Sequence, residues 1–364
     1  MLPAGVTIPM TPFTVDILIP IWNRPVETRN CLVTLMETTP SARLILIDNG
    51  SDRETERLLE EFSEILGERA LFLKTSANQG FVRAVNRGLA QVEAPYAVVM
   101  QNTTLVTRGW LEPMVELADS RPDAGIIVPR LELEDGQGRR PKAAPPAGPV
   151  TEVSHGSFAA SMVRRELVER QGGFDEELDG GPWCLRDYSR RAFRNGFLTL
   201  ALDGAVVTYA EEVPLGSVAR REETVRRSAE TCRARWGRED AFCIYFPKDT
   251  EPEAVHGKLD VILRGARMGQ CFTLILHPGL HKSLMETGHA PLHNNIALAP
   301  LPRFFATGEI RKIIGKLASV RGDTVTVAGV DGLSIPGVEG ARSFSWLADE
   351  IRRRHESLYR PESP

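Results

Sequence analysis

The chain has little cysteine and no long apolar run. No window of its 364 residues is apolar over the ~20 residues that a membrane-spanning helix needs, and residues 1–20 lack the basic start and apolar stretch of a signal peptide. An odd number of scattered cysteines without a CxxC pair argues against a disulfide framework and a zinc site. These cysteines are Cys31, Cys184, Cys232, Cys243 and Cys271. We expect reduced, mostly structural thiols in a cytoplasmic protein.

Positive charge is not in excess either. Lysine and arginine number 44 against 48 acids, so the chain has no global positive field that could hold a nucleic-acid backbone. A hydrophobic share of 42% and a charged share of 25% are ordinary for a globular protein. Because the length exceeds what one hydrophobic core usually organises, we expect two domains, residues 1–250 and 251–364.

Short apolar runs alternate with helical segments in βαβα order. Strands are expected at residues 15–20, 43–48, 71–74 and 96–100, and helices at residues 26–37, 53–66, 81–92, 109–120, 164–171, 187–195 and 220–236. Continuous apolar runs are typical of buried parallel strands. The pattern therefore predicts an α/β fold with a mostly parallel sheet flanked by helices.

The C-terminal part predicts a smaller α/β unit. Its strands are expected at residues 259–263, 271–276, 296–299 and 324–328, and its helices at residues 309–320 and 344–358. Residues 134–149 are rich in glycine, proline and charge, which predicts an exposed loop. No known family is attached to the C-terminal part.

Four motifs in a fixed order carry a resemblance. They are Pro20-Ile21-Trp22-Asn23, Asp48-Asn49-Gly50-Ser51, Asn78-Gln79-Gly80-Phe81-Val82-Arg83 and Gly172-Gly173-Phe174-Asp175-Glu176. Over roughly residues 15–237 the chain resembles the family 2 glycosyltransferases, in particular their rhamnosyltransferase-like branch. The resemblance implies a GT-A-like domain that binds nucleotide sugars.

The resemblance also implies an activity. A sugar would pass from a nucleoside-diphosphate sugar to an acceptor hydroxyl, with inversion, in polysaccharide or glycoconjugate biosynthesis. The acceptor would be a glycan, a lipid-linked molecule or another alcohol. The implied nucleotide-sugar-binding residues are Pro20, Trp22, Asn23, Asp48, Asn78, Gly80, Arg83, Asn102 and Thr103.

Physical chemistry fits two of these roles. The carboxylate of Asp48 can accept hydrogen bonds from ribose hydroxyls, and the helix that begins after Gly80 favours an anion such as pyrophosphate. The alternative is structural, since Asn49-Gly50 also suits a tight turn beside a capping aspartate.

The metal and base positions depart from the family pattern. Mg²⁺ or Mn²⁺ is the family norm, yet Thr103 stands in place of the metal-binding acid and residues 206–209 offer no histidine. One alignment puts Leu185 at the position of the catalytic base. A rival alignment on Trp183 makes Asp187 the base, and the sequence leaves both open. We assign no metal ligands and expect weak metal binding, unless Glu211 and Glu212 restore a site.

Two functional hypotheses follow. In the first, the chain is a glycosyltransferase with Asp187 as its base, and cations such as Arg83, Arg186 and Arg190 offset the charge of the departing diphosphate. In the second, it is a non-catalytic pseudo-glycosyltransferase that binds a partner or acts as a scaffold. The arginines of residues 186–194 also suit a merely solvated helical face.

Two further segments carry expectations. The loop at residues 134–149 is expected to border the acceptor entrance, because it joins the nucleotide half to the acceptor half. Four histidines lie close together in the C-terminal part, where proline and glycine interrupt their spacing, and we interpret them as solvated or phosphate-facing loop residues rather than metal ligands. They are His277, His281, His289 and His293.

Overall fold

The computed structural model describes residues 13–133, 148–210, 218–286, 292–303 and 306–359. The elements up to residue 171 are β1 (Val15–Ile21), α1 (Pro25–Thr38), β2 (Arg43–Asn49), α2 (Arg53–Leu66), β3 (Ala70–Thr75), α3 (Phe81–Leu89), β4 (Tyr96–Met100), β5 (Thr104–Val106), α4 (Glu112–Ser120), β6 (Ala124–Leu133), β7 (Val150–Glu152), β8 (Ala160–Arg164) and α5 (Arg165–Gln171). The elements after it are α6 (Trp183–Arg194), β9 (Leu198–Tyr209), α7 (Val218–Trp236), β10 (Ala241–Tyr245), α8 (Pro252–Arg267), β11 (Cys271–Leu276), α9 (Pro278–Glu286), β12 (Ile296–Pro300), α10 (Ala306–Arg321), β13 (Thr324–Ala328) and α11 (Phe344–Leu358).

These elements divide into two compact units. The first unit comprises residues 1–148, 157–176 and 203–214, and the second comprises residues 149–156, 177–202 and 215–364. The structure thus divides the chain differently from the expected domains 1–250 and 251–364. The reason is that α6, α7 and β10 group with the C-terminal part, where β10 is an inner strand of the smaller sheet.

The sheet that runs through the first unit has the order β3-β2-β1-β4-β8-β6-β9-β5. Strands β1 to β4 pair in parallel, as the sequence predicts, and β8 then pairs antiparallel with both β4 and β6. Every residue of β1 is buried, which explains its unbroken apolar run. The sheet is therefore mixed, with its parallel half at the β3 edge.

Helix α2 shows how local sequence sets the ends of an element. Asp52 caps it, because its side chain accepts a hydrogen bond from the backbone N–H of Thr55 at 2.9 Å. That bond also lowers the pKa of the Asp52 carboxyl. The helix buries an apolar stripe at helical spacing, Leu58, Leu59, Phe62 and Leu66.

The second unit contains a parallel sheet of order β12-β11-β10-β13. Helix α10 packs on the face formed by Cys243, Tyr245 and Ile275. The strand expected at residues 259–263 is wrong, because these residues lie inside α8. The buried positions Val255, Leu259 and Ile262 have the spacing of a helix, which the local apolar run concealed.

None of the helices in the described part of the chain combines the length and the apolarity that crossing a membrane would require. All five cysteines are free thiols, four of them buried. Burial raises the pKa of Cys31, Cys184 and Cys243 to about 12, so these thiols stay protonated at neutral pH. This agrees with the expected structural role.

Gly50 provides a test of the turn after β2. Its φ is 75°, and a Cβ there would lie 2.4 Å from the carbonyl carbon of Ala77, so we expect Gly50→Ala to lower the free energy of unfolding by more than ~2 kcal/mol. Gly67 is the matched control. Its φ of 56° and ψ of −125° also disfavour a side chain, but nothing lies within 4 Å, so Gly67→Ala introduces backbone strain alone and should lower the free energy of unfolding by less than Gly50→Ala does. Urea-induced unfolding measures both; equal losses would contradict the close approach.

Candidate functional site

The turn after β1 has an unusual backbone. Asn23 and Arg24 both adopt positive φ angles, 57° and 60°, in the left-handed region that residues other than glycine rarely enter. Helix α1 follows at once, with Pro25 in its first turn. Such conformations persist only where surrounding contacts hold them, and they concentrate at functional sites.

Ser51 joins this turn to the turn after β2. Its Oγ accepts a hydrogen bond from the backbone N–H of Asn23 at 3.0 Å, and its own N–H donates to Asp48 Oδ1 at 2.9 Å. The side chain of Asn23 in turn accepts from the N–H of Asp52 at 2.7 Å. Asp48 is buried, so one of its oxygens has the structural, turn-holding role that the sequence left open.

Asn49 fixes the loop in front of α3. Its Nδ2 donates to Asn78 Oδ1 and to the carbonyl of Gly80, both at 3.1 Å, while its Oδ1 accepts from the N–H of Gln79 at 3.0 Å. Asn78 Oδ1 also accepts from the N–H of Gly80 at 2.9 Å. The sequence suggested only a turn at Asn49, because nothing local signals partners thirty residues away.

The end of β4 contributes Asn102 and Thr103. Asn102 Nδ2 donates to Thr28 Oγ1 at 2.8 Å and to the carbonyl of Asn23 at 3.4 Å, which ties β4 to the β1 turn. Thr103 is 5% exposed, and its hydroxyl has no hydrogen-bond partner among the described residues. Leaving a buried hydroxyl unsatisfied costs ~1–3 kcal/mol.

Helix α3 is bound to the turn at residues 172–176. Arg83 Nε donates to Glu176 at 2.9 Å, and this contact lowers the pKa of the Glu176 carboxyl. The side chain of Asn86 donates to the carbonyl of Phe174 and accepts from its N–H, both at 2.8 Å. Glu176 and Asn86 therefore hold Arg83 and its helix in place, while more than half of the Arg83 side chain stays exposed.

The remaining predicted residues lie in or beside β1. Pro20 is buried inside the strand opposite Ile47, and Trp22, just beyond the end of the strand, is 38% exposed. The contacts described so far join two groups of predicted residues at this edge of the parallel sheet. The first group is Asn23, Asp48 and Asn102, and the second is Asn78 and Gly80.

The donors at this edge do not fit a Mg²⁺ or Mn²⁺ site. Such ions are held mainly by carboxylates, whereas Thr103 supplies a neutral hydroxyl and Asn102 a neutral amide. In the part of the chain that the structure describes, no three His, Cys, Asp or Glu side chains are grouped so that they could hold a metal. Glu211 and Glu212 lie outside the described residues.

In the second unit, Asp187 is the centre of a buried ion-pair cluster. Its Oδ1 accepts from Arg235 Nη1 at 2.7 Å and from Trp236 Nε1 at 2.8 Å, and its Oδ2 accepts from Arg191 Nε at 2.8 Å. The residue is fully buried. Both carboxylate oxygens are thus engaged, and the role of Asp187 as a base stays a prediction.

The arginines of α6 have partners within the second unit. Arg186 and Arg190 both pair with Glu239, and the guanidinium of Arg194 lies 5.7 Å from the centre of the Trp236 ring. Arg190 is nearly buried, so it does not belong to a solvated face. Arg190, Trp183 and Arg233 border a cleft of about 530 Å³.

His281 and His293 differ from the expected solvated loop residues, whereas His277 lies in the short connection between β11 and α9. His281 lies in α9, which starts at Pro278, a residue that suits the first turn of a helix. His293 is buried, its Nδ1 accepts from the N–H of Asn295 at 2.9 Å, and burial lowers its pKa to about 4. His293 is therefore a neutral structural residue. His289 and residues 134–147, most of the predicted acceptor loop, lie outside the described residues.

The first part of the chain is similar to known proteins. Residues 16–172 match the family model "Glycosyl transferase family 2". Polypeptide N-acetylgalactosaminyltransferase 5 of Caenorhabditis elegans is 26% identical over 106 residues, which cover 28% of this chain and 17% of that protein. The chain thus spans less than a fifth of that relative.

Parts of the chain are also similar to solved structures. The crystal structure of GalNAc-T7 with UDP, GalNAc and Mn²⁺ has a TM-score of 0.50 at 15% identity, covering 61% of this chain and 48% of that chain. The mannosyltransferase PcManGT from Pyrobaculum calidifontis, in complex with GDP-Man and Mn²⁺, has a TM-score of 0.47 at 14% identity, covering 84% and 80%. The similarity to GalNAc-T7 shows that this chain has a GT-A fold.

The Asp187 cluster yields a stability prediction. We expect Asp187→Ala to lower the free energy of unfolding by ~3–5 kcal/mol, because it leaves buried donors without their carboxylate. Asp349→Ala is the control in the same unit, since it removes an exposed pair with Arg352 that should contribute less than ~1 kcal/mol. Guanidinium-induced unfolding compares the two. Similar, small losses would show that the cluster does not stabilise the unit.

Proposed function

Because residues 16–172 match the family model of glycosyl transferase family 2 and the chain shares the GT-A fold, we propose that it transfers a sugar from a nucleoside-diphosphate sugar to an acceptor hydroxyl. The observation that carries the proposal is the polar edge at the carboxyl ends of β1, β2 and β4. Open α/β sheets bind ligands at that edge, and here Ser51, Asn49 and Asn102 hold its turns in place.

Each group at the edge suits one part of a nucleotide sugar. Asp48 Oδ1 accepts from Ser51, and its other oxygen is suited to accept from ribose hydroxyls or from a base N–H. The exposed ring of Trp22 offers a surface for the base. The N-terminus of α3 after Gly80, together with Arg83, favours the negative diphosphate.

The proposed reaction is a direct displacement with inversion. The acceptor oxygen forms a bond to the anomeric carbon, the bond from that carbon to the diphosphate oxygen breaks, and the diphosphate leaves with the electron pair. The acceptor proton passes to a base, for which Asp187 is the candidate. To act so, its carboxylate must exchange one of its present donors for the acceptor hydroxyl. The acceptor is a glycan, a lipid-linked molecule or another alcohol.

Donor binding tests the first half of the proposal. UDP-GlcNAc, UDP-GalNAc and GDP-mannose are each added in a thermal unfolding experiment. The donor that binds should raise the free energy of unfolding by ~2.7 kcal/mol when its concentration is 100 times its dissociation constant. Asp48→Asn should weaken that donor at least about tenfold, because the ribose loses a charged acceptor. Glu169→Gln, an exposed change in the same unit, should not alter binding. If no nucleotide sugar stabilises the chain, the proposal fails and the non-catalytic alternative gains support.

Transfer itself tests the base. We expect Asp187→Asn to reduce turnover by ~10²- to 10⁴-fold, the usual contribution of general-base catalysis, while leaving donor binding intact. The assay is run below the unfolding temperature of the variant, so that a lost fold is not mistaken for a lost base. Normal turnover in folded Asp187→Asn would eliminate this assignment and leave Asp187 with its structural role.

A further inference from the structure

We infer that the first unit binds the nucleoside diphosphate without a divalent metal ion, and that the Thr103 hydroxyl donates a hydrogen bond to the bound ligand. The inference deepens the proposed function, since it assumes that a nucleoside diphosphate binds at the edge formed by β1, β2 and β4. It concerns how the charge of that ligand is met.

The surroundings of Thr103 fix its backbone but, among the described residues, give its hydroxyl no hydrogen-bond partner. Thr103 lies between β4 and β5, directly before Thr104, and its carbonyl accepts a hydrogen bond from the N–H of Ala210 at 3.4 Å, so its backbone is held. Its side chain is 5% exposed, yet its hydroxyl meets no partner in the described part of the chain. A buried hydroxyl of this kind is satisfied as a donor only when an acceptor oxygen lies within hydrogen-bond distance.

The neighbouring polar groups are already engaged. Asn102, the residue before Thr103, gives its Nδ2 to Thr28 and to the carbonyl of Asn23. Thr104 gives its hydroxyl to the carbonyl of Ala159 at 2.7 Å. In the stretch of residues 102–104, the side chain that keeps an unused donor is therefore Thr103.

Among the residues that the structure describes, this region offers few of the carboxylates that a hard cation needs. Asp48 is a single carboxylate with one oxygen engaged by Ser51. On β9, Thr208 faces Leu105 of β5, and it too is buried with an unpartnered hydroxyl. Two neutral hydroxyls at Thr103 and Thr208 can bond ligand oxygens, but they do not neutralise a cation as carboxylates do.

The negative charge of the diphosphate can instead be stabilised by a helix dipole and an arginine that belong to the fold. Helix α3 starts at Phe81 after Gly80, whose φ is 95°, and its first-turn N–H groups form the positive end of the helix dipole. Arg83 extends from that first turn and is oriented by Glu176. Unlike a metal ion, these groups are part of the fold, so a chelator cannot remove them.

Titration calorimetry with UDP and GDP tests the inference. In excess EDTA the wild-type chain should bind one of the two, and adding Mn²⁺ should change its dissociation constant less than about threefold. Thr103→Val, which removes only the hydroxyl, should weaken binding in EDTA about tenfold. Thr103→Ser keeps the donor and should bind like the wild type. Thr199→Val, a buried unpartnered threonine of the second unit, is the matched control.

Thr103→Asp provides the opposite change. It places a carboxylate after β4, and we expect it to weaken binding in EDTA about tenfold or more and to make binding respond to Mn²⁺. Wild-type binding that disappears in EDTA and returns with Mn²⁺ would overturn the inference but support the proposed function. Unchanged binding in Thr103→Val would refute the role of the hydroxyl. No binding of either nucleotide with or without Mn²⁺ would count against the proposed function itself.

Discussion

Beyond the last residue of a strand, the backbone no longer forms the hydrogen bonds of the sheet. The loops at the edge of a parallel sheet must therefore be held by side chains. In the first unit this task falls mainly to amides, because an asparagine donates and accepts at once. Asn49 closes the loop before α3, and Asn23 and Asn102 join the β1 turn to its neighbours. The polar edge proposed to bind a nucleotide exists only because these neutral groups are matched to one another.

The parallel half of the first sheet was predictable, because buried parallel strands consist of continuous apolar runs. The C-terminal part was harder to predict. The apolar run at residues 259–263 resembles a strand, and only Val255, four residues before Leu259, completes the helical stripe that α8 buries. Strand β10 is short, and nothing local indicates that it pairs with both β11 and β13.

The site was predictable as a set of positions but not as a set of contacts. The motifs indicated Asp48, Asn78 and Gly80, whereas the residue that binds the last two together is Asn49. Asp187 stood out as a surviving acid, yet its partners Arg235 and Trp236 lie almost fifty residues farther along the chain. Spacing within a motif carries no information about such partners. The order of motifs could suggest a family, but not which side chains were left with unused donors.

Each unit is assembled from three separate stretches of the chain. A single cut of the polypeptide therefore cannot separate one unit from the other. A fragment that ends at residue 214 contains all of the first unit, but it also carries residues 149–156 and 177–202 of the second unit without the remainder of that unit. Those residues include α6, whose Asp187 would lose its partners Arg235 and Trp236. Recombination with a related protein meets the same obstacle, and an exchange that respects this architecture needs several junctions rather than one.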